Sequence, residues 1–455
     1  MARSFASNPR FFKPKVKPVS KASIVKIDSL AIDGRGVARV EGKVCFVADS
    51  LPGETVKVRW SRHGGRFDEG CVQEVIEAAA GRIAPRCHYV DKCGGCSLQH
   101  ADGAAQVEYK DALLSQQLRH LVNHDTVRLA PIVSPTFGYR SRARLAVFWH
   151  NNDHQLQLGF REQGSKRIIA IDSCPVLIPS LDALLQPLAA MLARLKGVKQ
   201  LGHVELIDND GQPAIAVRVM RTFVNADRKR LIAFGEQYKT KVVVIEGADE
   251  VVASSLWPNG SDSSFCYSVD GLKMHFAAGD FTQVNQQVNA QMVDQALALL
   301  DLQKDDHLLD LFCGVGNFSL SASNKVASVT GVEGVQSMVD KAVHNAAVNG
   351  IDNAYFACSD LSVQGGSALD WTRRADYNKM LLDPSREGAQ EIVERLDRYK
   401  PERVVYVSCN PATLARDGAE MLKHGYRLAS FGCIDMFPNT RHSEAMALFI
   451  RNNDA

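Results

Sequence analysis

The sequence has no hydrophobic run long enough to cross a membrane. Apolar stretches such as Val242–Ile245 fall far short of the roughly 20 residues that span a bilayer. The first residues are charged and lack the apolar segment of a secretory signal. A large excess of either charge is also absent, since 53 basic residues face 51 acidic ones. We therefore expect a cytoplasmic protein that is not bound to a membrane.

Neither disorder nor a disulfide framework fits the composition. Of the 455 residues, 45% are hydrophobic and 23% are charged, which is typical of folded domains, and the length allows about three of them. Eleven cysteines are too few and too dispersed for a disulfide-stabilised scaffold. Fibrous, disordered and disulfide-rich secreted proteins are thereby excluded.

The N-terminal region combines a basic arm with a strand-rich segment. Seven basic residues precede the first acidic one, Asp28, and the arm at residues 1–22 also carries three phenylalanines. Such an arm can contact phosphates and stack on bases, although a solvated tail that only aids solubility has the same composition. Residues 23–79 are expected to form a small antiparallel β-barrel with a basic surface, which suits RNA without proving it. Its predicted strands are Ile24–Ile27, Gly36–Val40, Val44–Val47 and Thr55–Trp60.

The rest of the chain divides into two predicted domains. Residues 80–275 mix strands with helices near 101–121 and at Leu181–Lys196, which indicates an α+β central domain. From residue 276 to 455, strands, turns and helices alternate at least four times. That alternation predicts a doubly wound, Rossmann-like parallel sheet.

The first strand of this sheet is followed by a Gly-x-Gly turn at Gly314 and Gly316. The second and third strands end in Glu333 and Asp360, where an acid can bind a ribose or lie beside an adenine. The turn lacks the third glycine of dinucleotide-binding proteins. The pattern therefore favours S-adenosylmethionine, with NAD and a purely structural turn as alternatives.

Asp383 and Cys409 follow the fourth and fifth strands. Ligands of open α/β sheets bind beyond the carboxyl ends of the strands, so both side chains are expected at the cofactor pocket. Cys409, which precedes Asn-Pro, is a candidate nucleophile. A helix N-cap is the alternative role for Asp383.

Four cysteines form a second constellation. Cys87, Cys93 and Cys96 are closely spaced, and Cys174 follows a later strand. Zinc sites usually consist of two short cysteine pairs, whereas three local ligands and one remote ligand followed by proline are typical of ferredoxin-like 4Fe–4S sites. An iron–sulfur cluster is the favoured hypothesis; zinc or unligated thiols are the alternatives.

Several motifs together resemble the RNA 5-methyluridine methyltransferase family. They are DPSREG from Asp383, SCNPATLARD from Ser408, DMFPNTRHSEAM from Asp435, FTQVN from Phe281 and LFCGVGNFSL from Leu311. The likeness covers essentially the whole chain. The TRAM-like barrel and the four cysteines are similar to those of family members that methylate 23S ribosomal RNA.

This resemblance implies a set of site residues. It makes Cys409 the nucleophile, Glu444 the general base and Asp383 the residue that holds the reactive geometry. It implies a 4Fe–4S cluster on Cys87, Cys93, Cys96 and Cys174. The implied S-adenosylmethionine site consists of Gln283, which we expect on a helix, together with Phe312, Asn317, Glu333, Asp360 and Asp383.

The chemistry needs these residue types. Carbon 5 of uracil becomes nucleophilic when a thiolate adds to carbon 6, so the pKa of Cys409 should be lowered locally. A base must then remove the proton on carbon 5. Burial of Glu444 should raise the pKa of its carboxyl towards a useful range, while His442 is a rival base on chemistry alone.

The expected partner is 23S ribosomal RNA with its target uridine flipped out of the stack. We expect a transfer RNA enzyme to lack both the barrel and the cysteines, so the barrel decides the substrate. Methylation of another ribosomal site or of transfer RNA, and a non-catalytic iron–sulfur RNA-binding protein, are the alternatives. The last would lack the nucleophile or the base, yet Cys409 and Glu444 are both present. No obligate protein partner is predicted, and we expect a monomer.

Overall fold

The computed structural model describes residues 23–248, 251–361 and 376–452, so the predicted basic arm lies outside the described residues. The chain divides into two compact units, the first ending at Ile83 and the second beginning at Ala84. No boundary near residue 276 separates two compact units, and the division there remains a prediction. None of the described helices is both long and apolar enough to span a membrane.

The first unit is a small β-structure that contains every predicted strand. Its sheet runs in the order β1-β5-β6-β4-β3-β2 around a core that includes Val25, Val47, Val58 and Trp60. The expectation of purely antiparallel pairing is wrong, because β4 pairs in parallel with β6. Strand β5 lies between these two strands in the sequence and reverses the direction of the chain. The strands are β1 (Ser23–Lys26), β2 (Ser29–Leu30), β3 (Gly36–Val40), β4 (Lys43–Ala48), β5 (Thr55–His63) and β6 (Phe67–Glu77).

The central part of the second unit is a mixed sheet backed by helices. The predicted helix over Leu181–Lys196 is interrupted after Asp182, and the cysteine-rich segment before Gly103 contains no helix or long strand. The sheet order is β10-β9-β8-β11-β12-β13-β14. The elements are α1 (Gly103–Leu118), β7 (Val127–Arg128), β8 (Arg142–His150), β9 (Gln155–Arg161), β10 (Ile168–Ala170), α2 (Pro179–Asp182), α3 (Leu185–Leu192), a 3-10 helix (Val198–Gln200), β11 (Leu201–Asn209), β12 (Gln212–Val219), α4 (Asn225–Tyr238), β13 (Lys241–Glu246), β14 (Val252–Trp257), β15 (Phe265–Val269) and β16 (Leu272–Phe276).

The C-terminal part alternates strand and helix as predicted. The inner strands of its sheet are buried almost throughout because helices cover both faces, which produces two large apolar clusters. The elements are α5 (Gln286–Leu300), β17 (His307–Leu311), α6 (Asn317–Ser323), β18 (Ser328–Glu333), α7 (Gln336–Val348), β19 (Ala354–Cys358), β20 (Lys379–Leu382), α8 (Gln390–Val393), α9 (Leu396–Tyr399), β21 (Arg403–Ser408), α10 (Pro411–Lys423), β22 (Tyr426–Ile434) and β23 (Glu444–Arg451).

The topology of this sheet departs from the all-parallel expectation at one edge. The order is β19-β18-β17-β20-β21-β23-β22-β7, and β19 to β21 are parallel. Strand β23 inserts antiparallel between β21 and β22. A strand that runs the opposite way begins where its neighbours end, so the start of β23 lies at the carboxyl edge of the parallel strands.

Candidate active site

A cavity of about 610 Å³ opens at the carboxyl ends of β17, β18, β20 and β21. This is where the doubly wound topology predicts a ligand, and the volume suits a nucleoside cofactor with a reacting base. Predicted site residues that line it are Gln283, Phe312, Asn317, Glu333, Asp383, Cys409 and Glu444.

The glycine turn after β17 shapes one wall of the cavity. Phe312 takes a left-handed backbone conformation, with φ of 67°, and Gly316 follows with φ of 96°. The N–H groups of Phe312 and Cys313 both donate to the carbonyl of Val332, at 2.8 and 3.1 Å. Non-glycine residues in this conformation cluster at ligand sites, where the surrounding structure holds them.

Glu333 is oriented by the backbone at the end of β18. Its two carboxylate oxygens accept hydrogen bonds from the N–H groups of Gly314 and Val335, at 3.2 and 3.1 Å. A carboxylate has about four acceptor sites, so two remain for hydroxyl groups of a ligand. The arrangement fits the predicted binding of a ribose.

Asn317 is held by residues that the sequence did not reveal. Its Oδ1 accepts from the hydroxyl of Tyr267 and from Asn289, at 3.0 and 3.1 Å, and its Nδ2 donates back to Asn289 at 3.0 Å. Tyr267 is buried on β15, and Asn289 is buried on α5. Most of the hydrogen-bonding capacity of Asn317 is therefore used inside the protein, where it fixes the wall of the cavity.

Gln283 lies in a loop, and the prediction that a helix carries it is wrong. The side chain of Asn285 accepts from the N–H of Val288 and caps α5, so the helix begins only at Gln286. The Oε1 atom of Gln283 is buried and has no hydrogen-bond partner. A buried acceptor without a partner at a cavity wall fits a residue that awaits a ligand donor.

Asp360 is the predicted cofactor residue that the cavity does not include. It is exposed just beyond β19, and it does not line the cavity. The chain from residue 362 to 375 is outside the described residues.

Cys409 and Glu444 lie opposite each other at the ends of two neighbouring strands. In the antiparallel ladder of β21 and β23, Ser408 pairs with Ala445, so Cys409 and Glu444 are the next opposed positions. Asp383 follows the adjacent strand β20. No helix begins at Asp383, because α8 starts at Gln390, and the alternative of a helix N-cap is therefore excluded.

The electrostatics of this group favour protonated acids. Burial, and then the charge of Asp383, raise the pKa of Glu444 to about 8, and its side chain is buried as predicted. Burial and the charge of Asp310 raise the pKa of Asp383 to about 7. Burial and the charges of Glu444 and Asp383 raise the pKa of Cys409 to about 11. The expected lowering of the thiol pKa is therefore wrong for the free protein, in which Cys409 is protonated at neutral pH.

Arg386 is a cavity residue that the sequence did not single out. Its positive charge acts in the direction opposite to burial, lowering the pKa values of Cys409 and Glu444. The sequence could have indicated Arg386 as a site residue, because it lies three residues after Asp383 in the loop that follows β20.

His442 faces a different cavity. It lines a second cavity of about 580 Å³ with Arg441 and the segment Gly94–Ser97, whereas Glu444 lines the first cavity with Cys409. This separation favours Glu444 over His442 as the base that serves Cys409.

The four predicted cluster cysteines lie near one another. Burial and the neighbouring charges of Cys174, Cys93 and Cys87 raise the pKa of Cys96 to about 12. The thiols of Cys87 and Cys93 each accept a backbone N–H two residues on, from Tyr89 and Gly95, at 3.4 Å. Within residues 23–248, 251–361 and 376–452, no group of three or more His, Cys, Asp or Glu side chains is arranged to hold a metal ion. The predicted cluster is therefore not shown.

The doubly wound sheet, its glycine turn and its strand-end acid are those of a Rossmann-like methyltransferase. The family model described as tRNA (Uracil-5-)-methyltransferase matches residues 102–452, and the TRAM domain model matches residues 24–59. The chain thus belongs to the RNA uracil-5-methyltransferase family, whose enzymes use S-adenosylmethionine.

Curated relatives of this chain share one stated activity. The 23S rRNA (uracil(1939)-C(5))-methyltransferase RlmD of Shewanella amazonensis is 43% identical over 97% of this chain and 99% of its own length. The RlmD of Nitrosococcus oceani is 42% identical over 96% of this chain and 98% of its own length. The chain is therefore similar to these enzymes from end to end.

A solved structure shares the fold. The tRNA (uracil-54, C5)-methyltransferase of Pyrococcus abyssi, in complex with S-adenosyl-L-homocysteine, superposes with a TM-score of 0.69 at 23% identity. The match covers 94% of this chain and 100% of that chain. The part of this chain outside the match is shorter than the barrel, so the match extends into the barrel. The expectation that transfer RNA enzymes lack this barrel is therefore wrong. The barrel alone does not decide the RNA substrate.

Proposed function

We propose that this protein methylates carbon 5 of uridine 1939 in 23S ribosomal RNA, using S-adenosylmethionine. The observation that carries the proposal is the opposition of Cys409 and Glu444 in one cavity, where Cys409 directly follows β21 and Glu444 begins the paired strand β23. The choice of RNA is supported by relatives of the stated activity at 40–43% identity over almost the whole chain. A single chain carries the residues for every step, so we propose that it acts as a monomer.

The cofactor half of the cavity is assigned to residues of the glycine turn and its neighbours. Glu333 has acceptor sites for ribose hydroxyls, and Gln283 offers its unpartnered Oε1 to a donor such as the amino group of the methionine end. Phe312 and Asn317 shape the wall, and Asp383 closes the pocket. Asp360 keeps its proposed role beside the adenine on the family resemblance alone. When bound, S-adenosylmethionine supplies an electrophilic methyl group on a positively charged sulfur.

The residues of the reactive half act in sequence. The thiolate of Cys409 adds to carbon 6 of the uracil, and carbon 5 becomes able to take the methyl group. Glu444 then removes the proton from carbon 5. The electron pair of that C–H bond restores the double bond between carbons 5 and 6 and expels the thiolate. Asp383 holds the geometry between base and cofactor.

The environment of Cys409 has a consequence for this scheme. Because burial and the charges of Glu444 and Asp383 raise the pKa of its thiol to about 11, we expect slow oxidation of Cys409 while the site is empty. Arg386 lowers the pKa of this thiol, which favours the reactive form. The reaction is therefore expected to be faster at higher pH.

We also assign a 4Fe–4S cluster to Cys87, Cys93, Cys96 and Cys174. The supporting observations are the mutual proximity of the thiols and the backbone N–H groups directed at the sulfurs of Cys87 and Cys93. Each thiolate of such a cluster binds a different iron, so the sulfurs lie farther apart than around a single ion. Anaerobically purified protein should contain iron and acid-labile sulfide; stoichiometric zinc instead would contradict the assignment.

The remaining assignments concern RNA binding. We propose that the arm at 1–22 and the barrel at 23–79 contact RNA phosphates, that residues 80–275 form a central domain, and that 276–455 carry the catalysis. The TRAM match supports the role of the barrel. Binding should weaken steeply as salt concentration rises.

A methylation assay tests the function. Purified protein is incubated with labelled S-adenosylmethionine and either a 23S RNA fragment that contains uridine 1939, the same fragment with cytidine at that position, or transfer RNA transcripts. We expect methylation of the first RNA alone, with the product mapped by mass spectrometry. Equal methylation of the cytidine fragment, or methylation of transfer RNA only, would overturn the proposal.

A further inference from the structure

The segment that leads into Glu444 is fixed by a buried amide network. We call residues Asp435–Ser443 the base loop. At its centre Asn439 is 1% exposed and takes a left-handed backbone conformation, with φ of 66°. Its N–H donates to Oε1 of Gln106 at 2.6 Å, and Nε2 of Gln106 donates to its Oδ1 at 3.2 Å. Its Nδ2 donates to the carbonyl of Thr136. Both ends of each amide are therefore engaged.

The cysteine-rich segment holds the same residue from another side. The N–H groups of Ser97 and Leu98, which follow Cys96, both donate to the carbonyl of Asn439, at 2.9 and 3.0 Å. The hydroxyl of Ser97 accepts from the N–H of Arg441 at 3.0 Å. Gln106 also donates to the carbonyl of Leu98 at 3.2 Å. The base loop, the segment Cys87–Leu98 and α1 thus share one set of hydrogen bonds.

Helix α1 contributes a second buried anchor on the same face. Lys110, one turn after Gln106, donates to Asp435 at 2.6 Å and to the carbonyl of Phe437 at 3.0 Å. Lys110 and Asp435 are both buried. A buried charge pair with further hydrogen bonds resists displacement, because separation would leave uncompensated charge. The start of the base loop is thereby fixed as well as its centre.

We propose that Gln106 and Asn439 are positioning residues that aim the carboxylate of Glu444 at carbon 5 of the uracil. The inference rests on the proposed function. Four residues separate Asn439 from Glu444, and β23 begins at Glu444 itself. The strand ladder fixes the backbone on one side of Glu444, and the base loop fixes it on the other. The segment that carries three of the proposed cluster cysteines thereby helps to place the general base.

The network should act on one step of the reaction. Addition of Cys409 and methyl transfer precede proton removal, and Cys409 directly follows β21, outside the base loop. If the network only positions Glu444, its loss slows proton removal and leaves the two earlier steps intact. A general structural role would slow all steps together.

The test separates these steps with two RNA substrates. Gln106→Leu removes the buried amide, and Asn439→Gly removes the side chain while keeping the left-handed backbone accessible. Gln116→Leu, at an exposed position of the same helix, is the matched control. With natural uridine RNA, the two variants should turn over about 10- to 100-fold more slowly and accumulate methylated protein–RNA adduct. With 5-fluorouridine RNA, which has no proton on carbon 5, they should form adduct at the wild-type rate.

Each outcome has a distinct meaning. Parallel loss of turnover and of fluorouridine adduct in both folded variants, or unchanged turnover in both, would overturn the positioning role. Thermal unfolding identifies a variant that does not fold, and the other variant then decides. If the wild-type protein forms no adduct with 5-fluorouridine RNA, the proposed function fails instead.

Discussion

The nucleophile and the base oppose each other across two strands, yet their surroundings differ. Cys409 follows β21, is half-buried, and lies near the exposed Arg386. Glu444 is 6% exposed and follows a loop held from three sides. We infer that the thiol must remain accessible to the incoming uracil. The carboxyl of Glu444 must instead be held in one orientation, with a pKa near neutral pH so that it can accept a proton. Removing each member should therefore produce a different failure.

The largest effect is expected from Cys409→Ala. Without a thiolate at carbon 6, carbon 5 cannot accept a methyl group, and turnover should fall by roughly 10⁴- to 10⁶-fold. Methyl incorporation into the RNA fragment measures this. Cys358→Ala, at an exposed cysteine that ends β19, should retain activity. Comparable loss in both variants would contradict the assignment of Cys409.

Glu444→Gln should fail later in the reaction. Proton removal by a positioned base contributes about 10²- to 10⁴-fold, and turnover should fall by that factor. Unlike Cys409→Ala, this variant should accumulate methylated covalent adduct with natural RNA, seen as a band that survives denaturing electrophoresis. Absence of adduct together with loss of turnover would mean that Glu444 acts before methyl transfer.

The same substitution should stabilise the fold at high pH. The pKa of Glu444 is raised from its ordinary value near 4.5 to about 8, so the unfolded chain ionises more readily than the folded one. The contribution of this carboxyl to stability is complete below pH 4.5 and is lost as pH rises through 8. At pH 9, Glu444→Gln should raise the free energy of unfolding by roughly 1–3 kcal/mol. Glu394→Gln, at an exposed position, should change the free energy of unfolding little. A lower free energy of unfolding for Glu444→Gln at pH 9 would contradict the conclusion that Glu444 is buried and charged at this pH.

Arg386 should have the smallest effect, and a pH profile reveals it. Cys409 and Glu444 must both lose protons, so kcat/KM of the wild type should rise with pH through about 8 and above. Arg386→Gln removes a charge that lowers both pKa values and should move the rise to higher pH, with activity at pH 7.5 about 3- to 10-fold lower. Arg386→Lys should keep the wild-type profile. A uniform loss at all pH values would assign Arg386 to RNA binding alone.

Much of this site follows from local sequence. Strand-end positions placed Cys409, Asp383 and Glu333 at one edge of the sheet, because that edge collects the carboxyl ends of parallel strands. Every predicted strand of the first unit is present. Only the helical placement of Gln283 was predicted wrongly, because Asn285 caps α5 and the helix begins three residues after Gln283, at Gln286.

What the sequence did not reveal depends on distant contacts. The antiparallel insertion of β23 places Glu444 opposite Cys409, and no local pattern encodes it. The raised pKa of Cys409 comes from burial and from carboxylates on two other segments. Gln106 and Asn439 are 333 residues apart in sequence. The available signal was the spacing of Gln106 and Lys110, polar residues four apart on the leucine-lined face of α1.

The most direct test identifies the protein atom that bonds to the base. The protein is incubated with S-adenosylmethionine and 23S RNA bearing 5-fluorouridine at position 1939, then digested with protease and nuclease, and the cross-linked peptide is sequenced by mass spectrometry. We predict one modified peptide, with methylated fluorouridine attached to Cys409. Attachment to any other residue, or a methylated product with no covalent intermediate, would contradict the account.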